Sequence, residues 1–371
     1  MIRSYINICI FLLLTSTIEA QINDWPVFRG KTSLSGFTDF EIPDKPVLLW
    51  KTATGSRSRS SPVLSQGILY CGNDKGTLLA TGRDGKIIWK CETGSAIEAP
   101  PLFYNGKIFT GSADGSLRAI DSKTGKILWT YKTDDKIVGS ANYWESSGRA
   151  GVVFGSYDYF LHCVDPATGK PLWKVETNNY INGTPAILGN SVIFGGCDGI
   201  MRLADVLTGR EKDTIKIGVY IAASPAISTG RAFFGDYDGT LYSLDLKDRK
   251  IVWQVSATET GGPITGIPAV AGNYAIIGND DKYVYCFNVN DGRQLWRFRT
   301  NGPLTGSAVI NAGRVLFGST DGYIYILNIA DGKKIWSFNT GSPINSSPVV
   351  TRDMFYFLTE DGRILAFGTK K

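Results

Sequence analysis

Histidine occurs once in this sequence, as His162, so a histidine-based triad or a zinc site would have to be built on that residue. The chain shows no nucleophile elbow, no phosphate-binding glycine loop and no metal-spaced set of histidines and cysteines. Positions equivalent to His162 elsewhere hold Arg118, Arg202, Tyr242, Tyr285 and Tyr325, which points to packing. Acidic residues recur at turns: Asp114, Asp158, Asp198, Asp238, Asp281, Asp321 and Asp361. One carboxylate per repeat is spread around a wide ring, so these read as turn residues and no metal site is expected. A carboxylate pair assembled from different repeats stays open.

The repeats themselves are marked by tryptophan. Trp50, Trp89, Trp129, Trp173, Trp253, Trp296 and Trp336 follow one another at 39, 40, 44, 80, 43 and 40 residues. The gap of 80 is two periods with Asp213, after Thr208-Gly209-Arg210, where a tryptophan should be. Eight units result. Within one unit, short apolar runs alternate with turns at Asn105-Gly106, Asp114-Gly115 and Thr124-Gly125, giving four strands per period. A sheet of that size cannot bury both faces alone, so the units must stack around an axis. After Trp336 only three strands remain, and Pro46–Lys51 supplies the fourth. The expected fold is therefore all-β: a closed eight-bladed β-propeller over 46–371, with four-stranded blades and the last blade completed by the N-terminal strand. Each recurring indole is expected to lie between neighbouring blades.

The tryptophans also act as a ruler. In seven of eight repeats, ten residues separate the tryptophan position from a small Gly, Ala or Ser at the start of the next innermost strand. The residue just ahead of it is Arg59, Glu98, Val138, Asn182, Ala222, Thr265, Thr305 or Asn345, a ring around one mouth of the channel. Six of the eight are polar (Arg59, Glu98, Asn182, Thr265, Thr305 and Asn345), and Arg59 and Glu98 are placed to form an ion pair. The ring reads either as a ligand site or as the lining of a hydrated channel. The exception to the ruler is Thr258–Pro263, which adds three residues and carries Glu259, either as a lip or partner contact or as a neutral insertion. Trp144 lies outside the docking series, in an insertion assigned to the opposite face. It reads as an exposed anchor for a partner or as the cover of a local apolar patch.

Composition sets the surroundings. Arg3 followed by the apolar run Ile8–Leu14 reads as a cleaved signal peptide over 1–20, leaving 21–45 as a lead-in. Cys9 begins the apolar run rather than ending it, so no lipid-attachment cysteine is expected, and the run is too short to span a bilayer. The expected location is periplasmic or secreted, with no transmembrane span. The net charge of +5 is mild and scattered, giving nucleic-acid binding no support. Five cysteines outside the leader, an odd number, argue against a disulfide scaffold.

The segments Ala119–Trp129 and Cys163–Trp173 resemble the tryptophan-docking repeat of pyrroloquinoline-quinone (PQQ)-type propellers, and Asp24–Gly30 resembles the lead-in of exported members. Quinoprotein dehydrogenases of this kind carry a vicinal cysteine pair and calcium ligands, and here there is neither a Cys-Cys pair nor a CxxCH haem motif. In size, blade number and lack of a second domain the chain is similar to the BamB family, periplasmic propellers that assist outer-membrane protein assembly, though it has no lipoprotein cysteine. That resemblance implies a non-enzymatic, monomeric scaffold for envelope or outer-membrane proteins, with no cofactor expected. The alternative is a PQQ-dependent dehydrogenase with quinone and calcium at the channel mouth.

Overall fold

Alternation of polar and apolar residues between paired turns dictates short antiparallel strands, and the chain folds accordingly. The computed structural model describes residues 24–311 and 313–369, so the leader expected over 1–20 lies outside it. Among the described residues there are eight four-stranded antiparallel sheets and no helix. In chain order the blades span 63–92, 102–132, 142–176, 186–216, 226–256, 269–299 and 309–339 (blades 1 to 7). Blade 8 comprises three strands within 349–368 together with Val47–Ala53, which pairs antiparallel with Arg363–Gly368 and closes the ring. Closure leaves no blade without a neighbour.

The two middle strands of each blade are almost wholly buried, as in Lys107–Gly111 and Ser116–Asp121, whereas the outermost strand is largely exposed. Every outermost strand carries a bulge at the residue before the tryptophan position: Trp89 faces Ala80, Ile87 faces Thr81, and Ile88 is left unpaired. The bulge adds local twist. Six of the seven indoles lie on the glycine of the third turn in the next blade, and Trp336, facing the blade closed by the chain ends, packs edge-on against Phe355 and Phe367 instead. A Cβ on Gly125 would approach the Trp89 ring to 2.7 Å, and one on Gly209 would approach the Trp173 ring to 2.7 Å. Both glycines have positive φ, +71° and +70°, so the position excludes other residues twice over. The indole nitrogens of Trp50, Trp89, Trp173, Trp253 and Trp296 donate to backbone carbonyls of that same turn at 2.7–3.0 Å.

Where Asp213 replaces tryptophan, the joint is rebuilt. The glycine position of the next blade is Arg249, which keeps a positive φ of +57° and pairs with the Asp213 carboxylate at 3.2 Å.

The lead-in has a structural role that its sequence does not advertise. Residues 24–44 cross the ring on the face of the first turns and hydrogen-bond to successive innermost strands. The amides of Phe103, Ile187, Ile227, Val270 and Ile310 donate to carbonyls of Pro26, Thr32, Ser33, Ser35 and Gly36 at 2.8–2.9 Å. Trp25 exchanges two backbone bonds with Leu64. Arg29 is buried and donates to the carbonyls of Ala308 and Pro268, at the starts of the innermost strands of blades 7 and 6. Burial pushes its guanidinium down to about 9. The channel is thus plugged from one side. No helix among the described residues is long and apolar enough to cross a membrane.

Candidate functional site

The plug turns the channel into a funnel open at the opposite mouth. Its lining contains all eight aligned ring positions, with Phe28 of the plug also in the wall, around a cavity of about 220 Å³. The ten-residue spacing places these side chains together because each follows the same outer strand and the same connecting loop. Behind them a ladder of hydroxyls joins the blades: the amides of Ser140, Thr184, Ile267, Ser307 and Ser347 donate to hydroxyls of Thr184, Ser224, Ser307, Ser347 and Ser61 at 2.6–3.0 Å. Pro100 and Ile267 interrupt the ladder, having no hydroxyl to offer.

The ring is polar but internally satisfied on one side. Arg59 Nη2 meets Glu98 Oε1 at 2.9 Å, the ion pair expected from adjacent blades. Thr305 donates to Asn345 Oδ1 at 2.8 Å, and Asn345 Nδ2 reaches Glu360 at 3.3 Å. Asn182 Nδ2 rests on Cys197 Sγ at 3.4 Å, while its Oδ1 has no partner. Thr265 lines the funnel opposite. Among the described residues Glu98 is the sole carboxylate in the lining, and no group of three His, Cys, Asp or Glu side chains is placed to hold a metal.

The recurring aspartates are turn residues with a second duty. Asp114, Asp158 and Asp198 accept from Arg118, His162 and Arg202 at 2.8, 3.0 and 2.5 Å. Asp281 and Asp321 accept from Tyr285 and Tyr325 at 2.5 and 2.8 Å. In blade 5 the partner of Tyr242 is Asp236 rather than Asp238. Several of these carboxylates also accept an amide from the preceding blade, such as Asn178 N on Asp198 at 3.1 Å, so they tie blades together. His162 packs against Phe154 and bonds Asp158 and the Tyr131 hydroxyl, as its column suggested. The five cysteines of the described residues are free and buried.

A family model described as "Outer membrane protein assembly factor BamB" matches residues 47–148, 144–214 and 280–371. The chain belongs to this family. BamB from Moraxella catarrhalis superposes with a TM-score of 0.75 at 19% identity, over 88% of this chain and 98% of that one. Quinohemoprotein alcohol dehydrogenase from Comamonas testosteroni gives 0.80 at 14% identity, over 96% and 83%. The computationally designed Ika8 protein gives 0.75 at 18%, over 87% and 99%. At these identities the likenesses establish the shared fold. A sequence comparison with curated proteins gives no match.

Two expectations need correction or relocation in this BamB-family propeller. Trp144, expected as an exposed anchor, is 2% exposed and packs with Val153 and Cys163 inside blade 3. Gly151 makes room for it, since a Cβ there would fall 2.4 Å from the indole nitrogen. A small residue opposite a tryptophan across the hairpin marks a socket, so the alternative of covering an apolar patch is the one realised. The 258–263 insertion contributes no residue to the lining of the funnel. It folds onto blade 6, where Glu259 pairs with Arg297 and its amide donates to Asp281 at 3.0 Å.

Sequence reasoning passed over one group at the mouth. Tyr157, Tyr159, Tyr180, Tyr220 and Tyr237 form an arc on the funnel side of blades 3 to 5. The signal was available two residues ahead of the ring, where Tyr180 and Tyr220 stand in line with Pro263, Pro303 and Pro343.

Proposed function

We propose that this protein is an exported, non-enzymatic scaffold that holds envelope protein partners during assembly of outer-membrane proteins, the role named in its family's description. The observation that carries this reading is the family match across six blades and the outer two strands of blade 6, with blade 5 unmatched. The propeller also corresponds to 98% of a BamB chain. Two surfaces suit polypeptide partners. The outermost strands present unpaired backbone edges, and their bulges expose Ile88, Leu128 and Leu172 beside them. The rim of the funnel adds exposed aromatic rings. The basic and apolar start of the sequence supports a periplasmic or secreted location. This role requires no cofactor and no nucleic acid.

The alternative is a PQQ-dependent dehydrogenase, and it draws on the higher TM-score of the alcohol dehydrogenase. The donor set speaks against it. Calcium takes six to eight oxygen ligands, usually including several carboxylates, whereas the funnel offers Glu98 alone, already neutralised by Arg59.

Crosslinking the mature protein in its native envelope and identifying what co-purifies tests the scaffold directly. Barrel-assembly components in the crosslinked fraction, and reduced outer-membrane barrel levels on deletion, are the expected results. Unchanged barrel levels with no such component recovered would overturn the proposal. Turnover of an alcohol or sugar with reduction of a dye, after addition of the quinone and calcium, would establish the alternative instead.

A further inference from the structure

The rim of the funnel is divided by chemistry. On blades 3 to 5 it is aromatic: Tyr157 and Tyr180 stack at 4.5 Å, Tyr159 adds to Tyr180 at 5.3 Å, and Tyr220 meets Tyr237 edge-on at 6.4 Å. Tyr220 is 56% exposed, Tyr237 50%. Such exposure of neighbouring rings is not needed to join blades, which the aspartate pairs and indoles already do. Nor are the rings on loose loops. The amides of Tyr157, Cys197 and Tyr237 donate to carbonyls of Lys136, Tyr180 and Tyr220 across the blade boundaries at 2.9–3.0 Å. The Lys136 ammonium caps the arc, 4.2 Å from the Tyr157 ring. A platform fixed in this way has little ordering entropy left to lose on binding.

The funnel beside the platform answers the question of what would lie on it. Its side chains are mostly neutral and polar: the amides of Asn182 and Asn345 and the hydroxyls of Thr265 and Thr305. Its charges, Arg59 and Glu98, cancel each other at 2.9 Å. An anion finds no free cation inside, and an apolar ligand would strip water from amides and hydroxyls without replacing it. Asn182 lines the funnel two residues from Tyr180. A ligand suited to both parts has flat C–H faces and many uncharged hydroxyls.

We infer that the tyrosine arc and the funnel form a binding site for an uncharged oligosaccharide, with pyranose rings stacked on Tyr180 and Tyr220 and hydroxyls turned towards Asn182 and the threonines. This site is independent of the role in barrel assembly and stands or falls separately from it.

The test uses the mature protein with cellohexaose, maltohexaose, mannohexaose and chitohexaose, measured by titration calorimetry. Saturable binding of at least one is expected, weakened about tenfold or more by Tyr180→Ala/Tyr220→Ala, since each stacked ring contributes of the order of 1 kcal/mol. Tyr220→Phe, which keeps the ring, should retain binding, and Leu188→Ala, exposed at the first turn of blade 4 on the opposite face, should change nothing. Thermal melts confirm that each variant is folded. The inference is overturned if none of the four sugars binds or if the double variant binds as tightly as the parent. It is equally overturned if only an oligogalacturonate or a short unstructured peptide is taken up.

Discussion

The joint between blades 4 and 5 and the joints between the other blades solve one problem with opposite chemistry. At six of the other joints an indole lies flat on a glycine, as Trp296 does on Gly332, where its nitrogen bonds the carbonyl of Ile329 at 2.7 Å. At blade 4 the aromatic is gone, and the glycine has become Arg249 in the same left-handed conformation. The turn therefore does not itself demand glycine. The indole demands it, because a Cβ on Gly332 would come within 2.6 Å of the ring. Once the ring is lost, a side chain can return, and a charged one replaces burial by an ion pair. The exchange is unequal in energy: burying a tryptophan is worth a few kcal/mol, whereas an exposed pair contributes at most about 1 kcal/mol. Blade 4 to blade 5 is the weak seam of the ring, held on the funnel side by the Tyr237 amide on the Tyr220 carbonyl at 3.0 Å.

The contrast can be broken at several points. Trp296→Ala should be the most damaging change, costing about 3–5 kcal/mol and visible as a large fall in melting temperature. Next comes Asp198→Asn, which leaves the buried Arg202 guanidinium with only the more exposed Glu211 carboxylate at 3.5 Å as counter-charge and costs about 3 kcal/mol near neutral pH. Burial raises the Asp198 carboxyl, but the Arg202 and backbone hydrogen bonds outweigh it and hold it below its ordinary 3.8. A carboxylate depressed in the folded state stabilises above its unfolded pKa and loses that contribution as pH falls through the folded value. Denaturation curves of parent and variant should accordingly converge below about pH 4, and a constant gap would contradict this account. Gly332→Ala, which combines a φ of +68° with the indole contact, should cost about 2 kcal/mol. The smallest effect belongs to the seam: Asp213→Ala should cost less than about 1 kcal/mol, vanishing in high salt. A cycle of Asp213→Trp with Arg249→Gly should show about 1 kcal/mol of favourable coupling in chemical denaturation, since each single change lacks its partner.

Much of the site was legible for the same reason as the fold. A constant interval between a recurring residue and a turn fixes a position in every blade, so the eight mouth residues and the Arg59–Glu98 pair could be aligned without coordinates. The aspartates and the column holding Arg118, His162 and Tyr285 were both visible, but their pairing across the turn was not, because sequence spacing does not say which side chains share a face once a turn intervenes. Trp144 misled because a tryptophan outside the series looks free until its socket at Gly151 is seen.

What the sequence determined by itself was the periodic part: eight four-stranded blades, closure by Val47–Ala53 and a polar ring at one mouth. These follow from local turn chemistry and from the need of each sheet to bury both faces. What only the tertiary structure decided was everything made through the backbone or between distant segments. The plug binds with its carbonyls, whose donors lie up to the far side of the ring, and so leaves no pattern in its side chains. The substitution of Arg249 for glycine has meaning only beside Asp213, and the tyrosines become one surface only when blades 3 to 5 are set next to each other.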